Sequence, residues 1–144
     1  MRRPSTTIVI DAAILIAAVR GRSSGALLQA AESAVLVTTD RVVQEARRRI
    51  ALGLRRLELI DVLDALVELL TIVPVAALAP VLERCEETLR DAVPSRNGSD
   101  RDAHVLALAW SVDADVWTTD RDFAGTGVAT WSTPNLMRAF ADTD

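Results

Sequence analysis

The chain has 144 residues, half of them hydrophobic, and a net charge of −4 at pH 7. That is enough for one domain with a real core, and too apolar for a disordered chain. Cys85 is the only cysteine and His104 the only histidine, which excludes disulfides, Cys/His zinc sites, Cys–His dyads and Ser–His–Asp triads. All 16 basic residues are arginines and tyrosine is absent. Any chemistry must therefore run on carboxylates, hydroxyls, arginines and backbone groups, with or without a metal.

The opening MRRPSTTIVIDAAILIAAVR has the charge and apolar run of a signal peptide, but Asp11 interrupts it. A charge there suits neither an h-region nor a membrane span, so a soluble, cytoplasmic protein is expected. TTIVI (6–10) reads as a buried strand ending at Asp11, and AAILIAAV as a helix closed by Gly21. ALLQAAES is a short helix leading into the strand AVLVTT (34–39), after which Asp40 is expected to cap the helix RVVQEARRRIAL. LRRLELIDVLDALVELL has apolar residues at helical spacing from Leu57 through Leu70. TIVPV (71–75) is a short strand that Pro74 confines to an edge or terminates.

AALAPVLERCEETLRDAV reads as a helix, PSRNGS (94–99) as a loop and DRDAHVLALAWSV as a further helix. ADVWTT (114–119) is a strand, TDRDFAGTG a turn-rich loop, VATWS (128–132) a last strand and PNLMRAF a last short helix. Strands alternating with helices predict an α/β fold, a parallel sheet with helices on both faces. No linker divides the chain, so residues 1–144 are expected to form a single domain.

Ligands of such a sheet bind outside the carboxyl ends of its strands. Asp11 directly follows the first strand, and Asp120 follows DVWTT, with Asp122 two residues on. Glu45 lies in the second turn of the helix entered from AVLVTT, and Asp102 opens DRDAHVLALAW. Four acids from distant parts of the chain can thus converge on one sheet edge. Clustered carboxylates repel one another, and a hard divalent cation, Mg²⁺ or Mn²⁺, is the natural neutraliser. Metal-assisted hydrolysis is the best-supported reaction class.

Each acid also has a plainer role. Asp11 can cap the helix after it, and Ser99-x-x-Asp102 has the form of a capping box. Asp100 competes with Asp102 for the site, and Asp122 is a turn former or an outer ligand. Glu45 gains meaning only from the constellation, and His104, two positions from Asp102, is given a structural role. Arginine clusters at Arg20/Arg22, Arg47/Arg48/Arg49 and Arg55/Arg56 offer local phosphate-binding surface, or only solvated helix faces. The word TTDR occurs at 38–41 and again at 118–121. In the first copy Asp40 is assigned to a cap and the useful acid is Glu45; in the second, Asp120 itself is assigned to the metal.

The order of an apolar strand ending in Asp11, Glu45 in a helix, a DxxhhxLA helix start (Asp102, Val105, Leu106, Leu108, Ala109) and a TxDxDF segment (Thr118, Asp120, Asp122, Phe123) resembles the PIN-domain nucleases. Among them it is similar to the compact VapC-type toxins of toxin–antitoxin pairs, over nearly the whole chain. The resemblance implies a three-layer α/β/α PIN-like fold around a mostly parallel sheet of about five strands. It implies a Mg²⁺- or Mn²⁺-dependent endoribonuclease with Asp11, Glu45, Asp102 and Asp120 as the catalytic acids. Asp11, Asp102, Asp120 and Asp122 would hold the metal, and Thr118 would support the site. The implied partners are an RNA substrate, a small antitoxin and a second copy of the chain, with Arg121 the arginine nearest in sequence to the acids.

Ala13 departs from the pattern, since the family usually has a small polar residue, often Asn or Ser, two positions after the first Asp. Two further readings stay open beside the toxin: a housekeeping nuclease of the same fold, and a degenerate domain that binds RNA or protein. Aspartyl phosphoryl transfer fits poorly, because those sites rely on a lysine that this chain lacks.

Overall fold

The structure, a computed structural model, describes residues 3–22, 24–90, 102–119, 123 and 126–142. Its core is a five-stranded parallel sheet in the order β3-β2-β1-β4-β5. The strands are β1 (Thr7–Ile10), β2 (Val35–Thr39), β3 (Thr71–Val73), β4 (Asp115–Trp117) and β5 (Thr130–Trp131). Central β1 needs apolar side chains on both faces, and Ile8, Val9 and Ile10 are fully buried. Each such side chain contributes about 1.5–3 kcal/mol of burial free energy.

The chain winds outward from β1 to β2 to β3 through α1 (Ala12–Val19), α2 (Ser24–Ser33), α3 (Asp40–Arg48) and α4 (Glu58–Val67). It then crosses back through α5 (Ala79–Arg90) and α6 (Ala103–Val112) to β4 on the other side of β1. Right-handed crossovers made in opposite directions place the two helix sets on opposite faces, which gives three α/β/α layers. Helix α7 (Thr133–Asp142) follows β5 and packs on α2.

Helix α6 is the buried centre of its layer, every residue from Ala103 to Ala109 being inaccessible. Helix α3 is instead amphipathic: Val42, Ala46 and, in the π-helical turn Arg49–Gly53 that follows, Ile50 are buried at a spacing of four. Helix α1 closes on Gly21 (φ +86°) as expected, with Gly21 N–H donating to the Ala18 carbonyl and Arg22 N–H to that of Ala17, each at 3.0 Å. This pair of bonds is a Schellman turn, which only a residue tolerant of positive φ accommodates without strain.

Several expectations shift. Thr39, not Asp40, caps α3: its Oγ1 accepts the Val42 N–H at 3.1 Å, while Asp40 is the first helical residue. Asp40 Oδ1 instead accepts the Val75 N–H at 2.9 Å, tying the α3 start to the chain after β3. Pro74 does end β3, and a 3₁₀ turn (Val75–Leu78) precedes α5. The 57–70 helix stops at Val67, where Leu69 and Leu70 switch to bonds reaching back three residues. The runs 114–119 and 128–132 contribute only the short paired strands β4 and β5. The expected loop 94–99 lies outside the described residues.

Candidate active site

The sheet changes winding direction at β1 and β4, so the crevice outside their carboxyl ends is where a ligand of this fold binds. Asp11 stands there, 7 % exposed, on backbone that leaves β1. Its carboxylate Oδ1 accepts the Ile14 N–H at 3.0 Å and so caps α1. Its Oδ2 accepts a hydrogen bond from the Thr118 hydroxyl, the residue directly after β4. Thr118 N–H in turn donates to the Trp131 carbonyl of β5 at 3.0 Å. The helix cap and the tie to Thr118 thus use different oxygens of one carboxylate, as an acceptor with several lone-pair positions allows.

The neighbouring strand end is fixed by two more threonine hydroxyls. Thr38 Oγ1 donates to the Ile10 carbonyl, one residue before Asp11, at 2.8 Å. Thr39 Oγ1 lies 2.8 Å from His104 Nδ1 in the first turn of α6. Because Thr39 already accepts the Val42 N–H, its own proton is best donated to Nδ1, which leaves the imidazole proton on Nε2. Burial pushes the His104 pKa down to about 4; the Arg41 charge adds to that shift and Asp40 opposes it. The histidine is a neutral structural tie, as its place in the sequence suggested, and His104 sets α6 against the β2–α3 junction.

Asp102 occupies the N-cap position of α6, where its carbonyl accepts the N–H groups of Val105 and Leu106, yet its side chain makes no capping bond. Glu45 is half-exposed in α3, 3.9 Å from Arg49, and lines a groove of about 430 Å³ with Arg41, Gln44 and Arg48. These four residues follow the i, i+3, i+4, i+7 spacing of one helix face. Arg47 points elsewhere, held by Asp64 at 2.6 Å, and Arg56 pairs with Glu58 at 2.9 Å. Cys85 is buried, and desolvation lifts its thiol to about 11, so it offers no nucleophile.

The structure thus brings Asp11 and Thr118 into direct contact and joins the segments carrying Asp102 and Asp11 through the threonine ties. Asp100, Asp120, Arg121 and Asp122 lie outside the described residues. Among the described residues alone, no three acids form a metal-holding cluster. The donor chemistry nevertheless suits a hard divalent cation, since Asp11, Glu45, Asp102 and the Thr118 hydroxyl are all oxygen donors. The roles of Thr38 and Thr39 were missed in the sequence, although two threonines closing a strand beside a helix start are a recognisable capping signal.

Comparison with known proteins adds an independent observation. A sequence profile described as the PIN domain matches residues 9–141. Among solved structures, the chain is similar to VapBC2 from Rickettsia felis, crystallised bound to a DNA fragment from its promoter. The TM-score is 0.67 at 14 % identity, over 88 % of this chain and 98 % of that one, a likeness of fold. No curated protein shows significant sequence similarity to the chain.

Proposed function

The chain belongs to the PIN-domain family of nucleases, and from that premise we propose that it is a divalent-metal-dependent endoribonuclease, the toxin of a toxin–antitoxin pair. The observation that carries the reading is the buried Asp11 carboxylate at the switch point of the sheet, aimed by α1 and by the Thr118 hydroxyl. Asp11, Asp102 and Asp120, with Asp122 as the outer acid, would hold Mg²⁺ or Mn²⁺, and Glu45 would complete the acidic set. Bound there, the cation supplies Lewis-acid stabilisation of phosphodiester charge and a lowered water pKa.

This chain's own residues set the frame for that chemistry. Thr118 fixes the orientation of the Asp11 carboxylate, since the donor of a ligating oxygen restricts its rotation. Asp102 enters the proposed site from the N-cap position of α6, the residue that opens that helix. Arg41 and Arg48 flank Glu45 with guanidinium groups suited to backbone phosphates, a contact that carries little sequence information.

Support for the partner is of two kinds. The similar fold in VapBC2 belongs to a toxin–antitoxin complex. In addition, Leu52 (71 % exposed) and Leu57 (68 %) present apolar surface between α3 and α4, where an antitoxin or a second copy could bind. A cytoplasmic site of action goes with the toxin reading, whose RNA substrate is there; no helix of the described residues is long and apolar enough to cross a membrane.

The test is cleavage of RNA by the purified protein with Mg²⁺ or Mn²⁺. Metal-dependent cutting that EDTA abolishes is the expected result. Equal cutting in EDTA, or full activity in the Asp11→Asn/Asp120→Asn double variant, would overturn the metal mechanism. For the toxin role, a short reading frame encoding an antitoxin should lie immediately beside the gene; its absence would favour a housekeeping nuclease or a binding role.

A further inference from the structure

A second groove, of about 180 Å³, runs along α1 and is lined by Ala13, Ile16, Ala17, Arg20, Arg22 and Arg49. We infer that it is a subsite for one nucleotide of the RNA strand beside the cleaved bond, with the arginines on phosphate and the apolar floor under the base or ribose. This rests on the nuclease reading and deepens it.

Three features point to that occupant. The lining combines three cations with an alanine and isoleucine floor, and no acid is among its described residues; phosphate with an attached apolar face is complementary to both. The groove also has lining residues close to two of the candidate acids. Ala13 is two residues past Asp11, and Arg49 reaches back to Glu45 at 3.9 Å. From Ala13 to Arg20 the helix rises about 10 Å, so the groove leads away from Asp11 along α1. Finally, it is smaller than the roughly 300–1,000 Å³ of a closed small-molecule pocket, which suits one unit of a longer chain.

The local fold builds the arginine ring. The Schellman turn reverses the chain at Gly21, and the bond from Arg22 N–H to the Ala17 carbonyl sets Arg22 beside the floor. Arg20 is the last residue before that turn, and Arg49 enters from the π-helical turn after α3. Ala13 acquires a reason as well: a larger polar side chain there would intrude on the floor next to Asp11.

Fluorescence anisotropy of a short labelled single-stranded RNA in EDTA tests this on the full chain, with cleavage of the same RNA in Mg²⁺ measured in parallel. Arg20→Ala/Arg22→Ala should weaken binding roughly tenfold at about 50 mM KCl, with the loss shrinking toward 200 mM as the log–log salt slope flattens by about 1.4. Arg20→Lys/Arg22→Lys should restore most of the slope, and Ala17→Leu should weaken binding without changing it. Arg56→Ala/Arg84→Ala, on residues engaged by Glu58 and Trp110, should leave both nearly unmoved.

An unaltered slope in Arg20→Ala/Arg22→Ala would overturn the subsite, and if wild-type cleavage persists the nuclease reading stands without it. A flattened slope with no cleavage in Mg²⁺ or Mn²⁺ would keep an RNA-binding groove and sink the nuclease reading. If a poly-glutamate peptide loses binding in the arginine variant while RNA does not, the groove belongs to an acidic protein segment and the inference is wrong.

Discussion

Thr38-Thr39-Asp40-Arg41 and Thr118-Thr119-Asp120-Arg121 are the same word at two strand ends, and the fold spends them differently. At the first, every described polar contact is framework. Thr38 ties β2 to the Ile10 carbonyl, Thr39 caps α3 and meets His104, and Asp40 accepts from Val75. At the second, Thr118 turns to the Asp11 carboxylate at the switch point. The difference comes from the neighbours of each strand. The end of β2 sits between β1 and β3 with a helix starting on it, so its acid is drawn into local backbone. The end of β4 faces Asp11 across the change in winding, and Thr118 is the residue that reaches it.

The sharpest way to break this contrast is to neutralise each acid in turn. Asp11→Asn and Asp120→Asn should each lower RNA cleavage by roughly 10²–10⁴-fold, the several kcal/mol a metal centre supplies. Circular dichroism should show both folded. Asp40→Asn should leave the cleavage rate within a small factor of wild type; a loss as large as that of Asp120→Asn would mean the two copies share one role.

Protonating the framework end comes next. Burial holds His104 neutral with a pKa near 4, against an ordinary value of 6.5. The folded pKa is depressed, so the unfolded chain binds more protons between those values. The contribution to stability is full above about pH 6.5 and lost as the pH falls toward 4, roughly 3 kcal/mol in all. Since His104 is the only histidine, one imidazole NMR signal reports it. A midpoint near 6.5 in the folded protein would dismiss the buried tie.

The layout of the strands was legible because it rests on local signals. TTIVI is β-branched and apolar, Gly21 stops α1, and Pro74 stops β3. What stayed hidden depended on partners distant in sequence. Thr39 and His104 are 65 residues apart, and Thr118 and Asp11 are 107 apart; no periodicity announces either pair. The choice of Thr39 over Asp40 as cap was hidden for another reason, since both types cap well and one residue of register decides. The strand lengths followed from pairing rather than composition: β5 keeps only the two residues that find partners on the short β4.

Removing the hydroxyl that aims Asp11 gives a smaller effect than removing the acid. Thr118→Val is nearly isosteric at a position 3 % exposed, so the fold should persist while activity or metal affinity falls about 10- to 100-fold. Thr118→Ser should recover most of the loss, because it returns the donor. Loss of activity without recovery by serine would make Thr118 a packing residue only.

The smallest effect belongs to the acid of the first copy. Asp40→Ala deletes the acceptor of the Val75 N–H at a half-buried contact, which water can partly replace. The net cost of such a bond is about 1 kcal/mol, or a fall in melting temperature of about 3 °C for a chain of this size. Cleavage per folded molecule should not change, since Asp40 binds the start of α3 to the chain after β3 and not to the cleft. A thermal melt and a cleavage assay on one preparation separate the two quantities. Were Asp40→Ala to reduce cleavage while leaving the melt unchanged, the first strand end would have to be counted as part of the site.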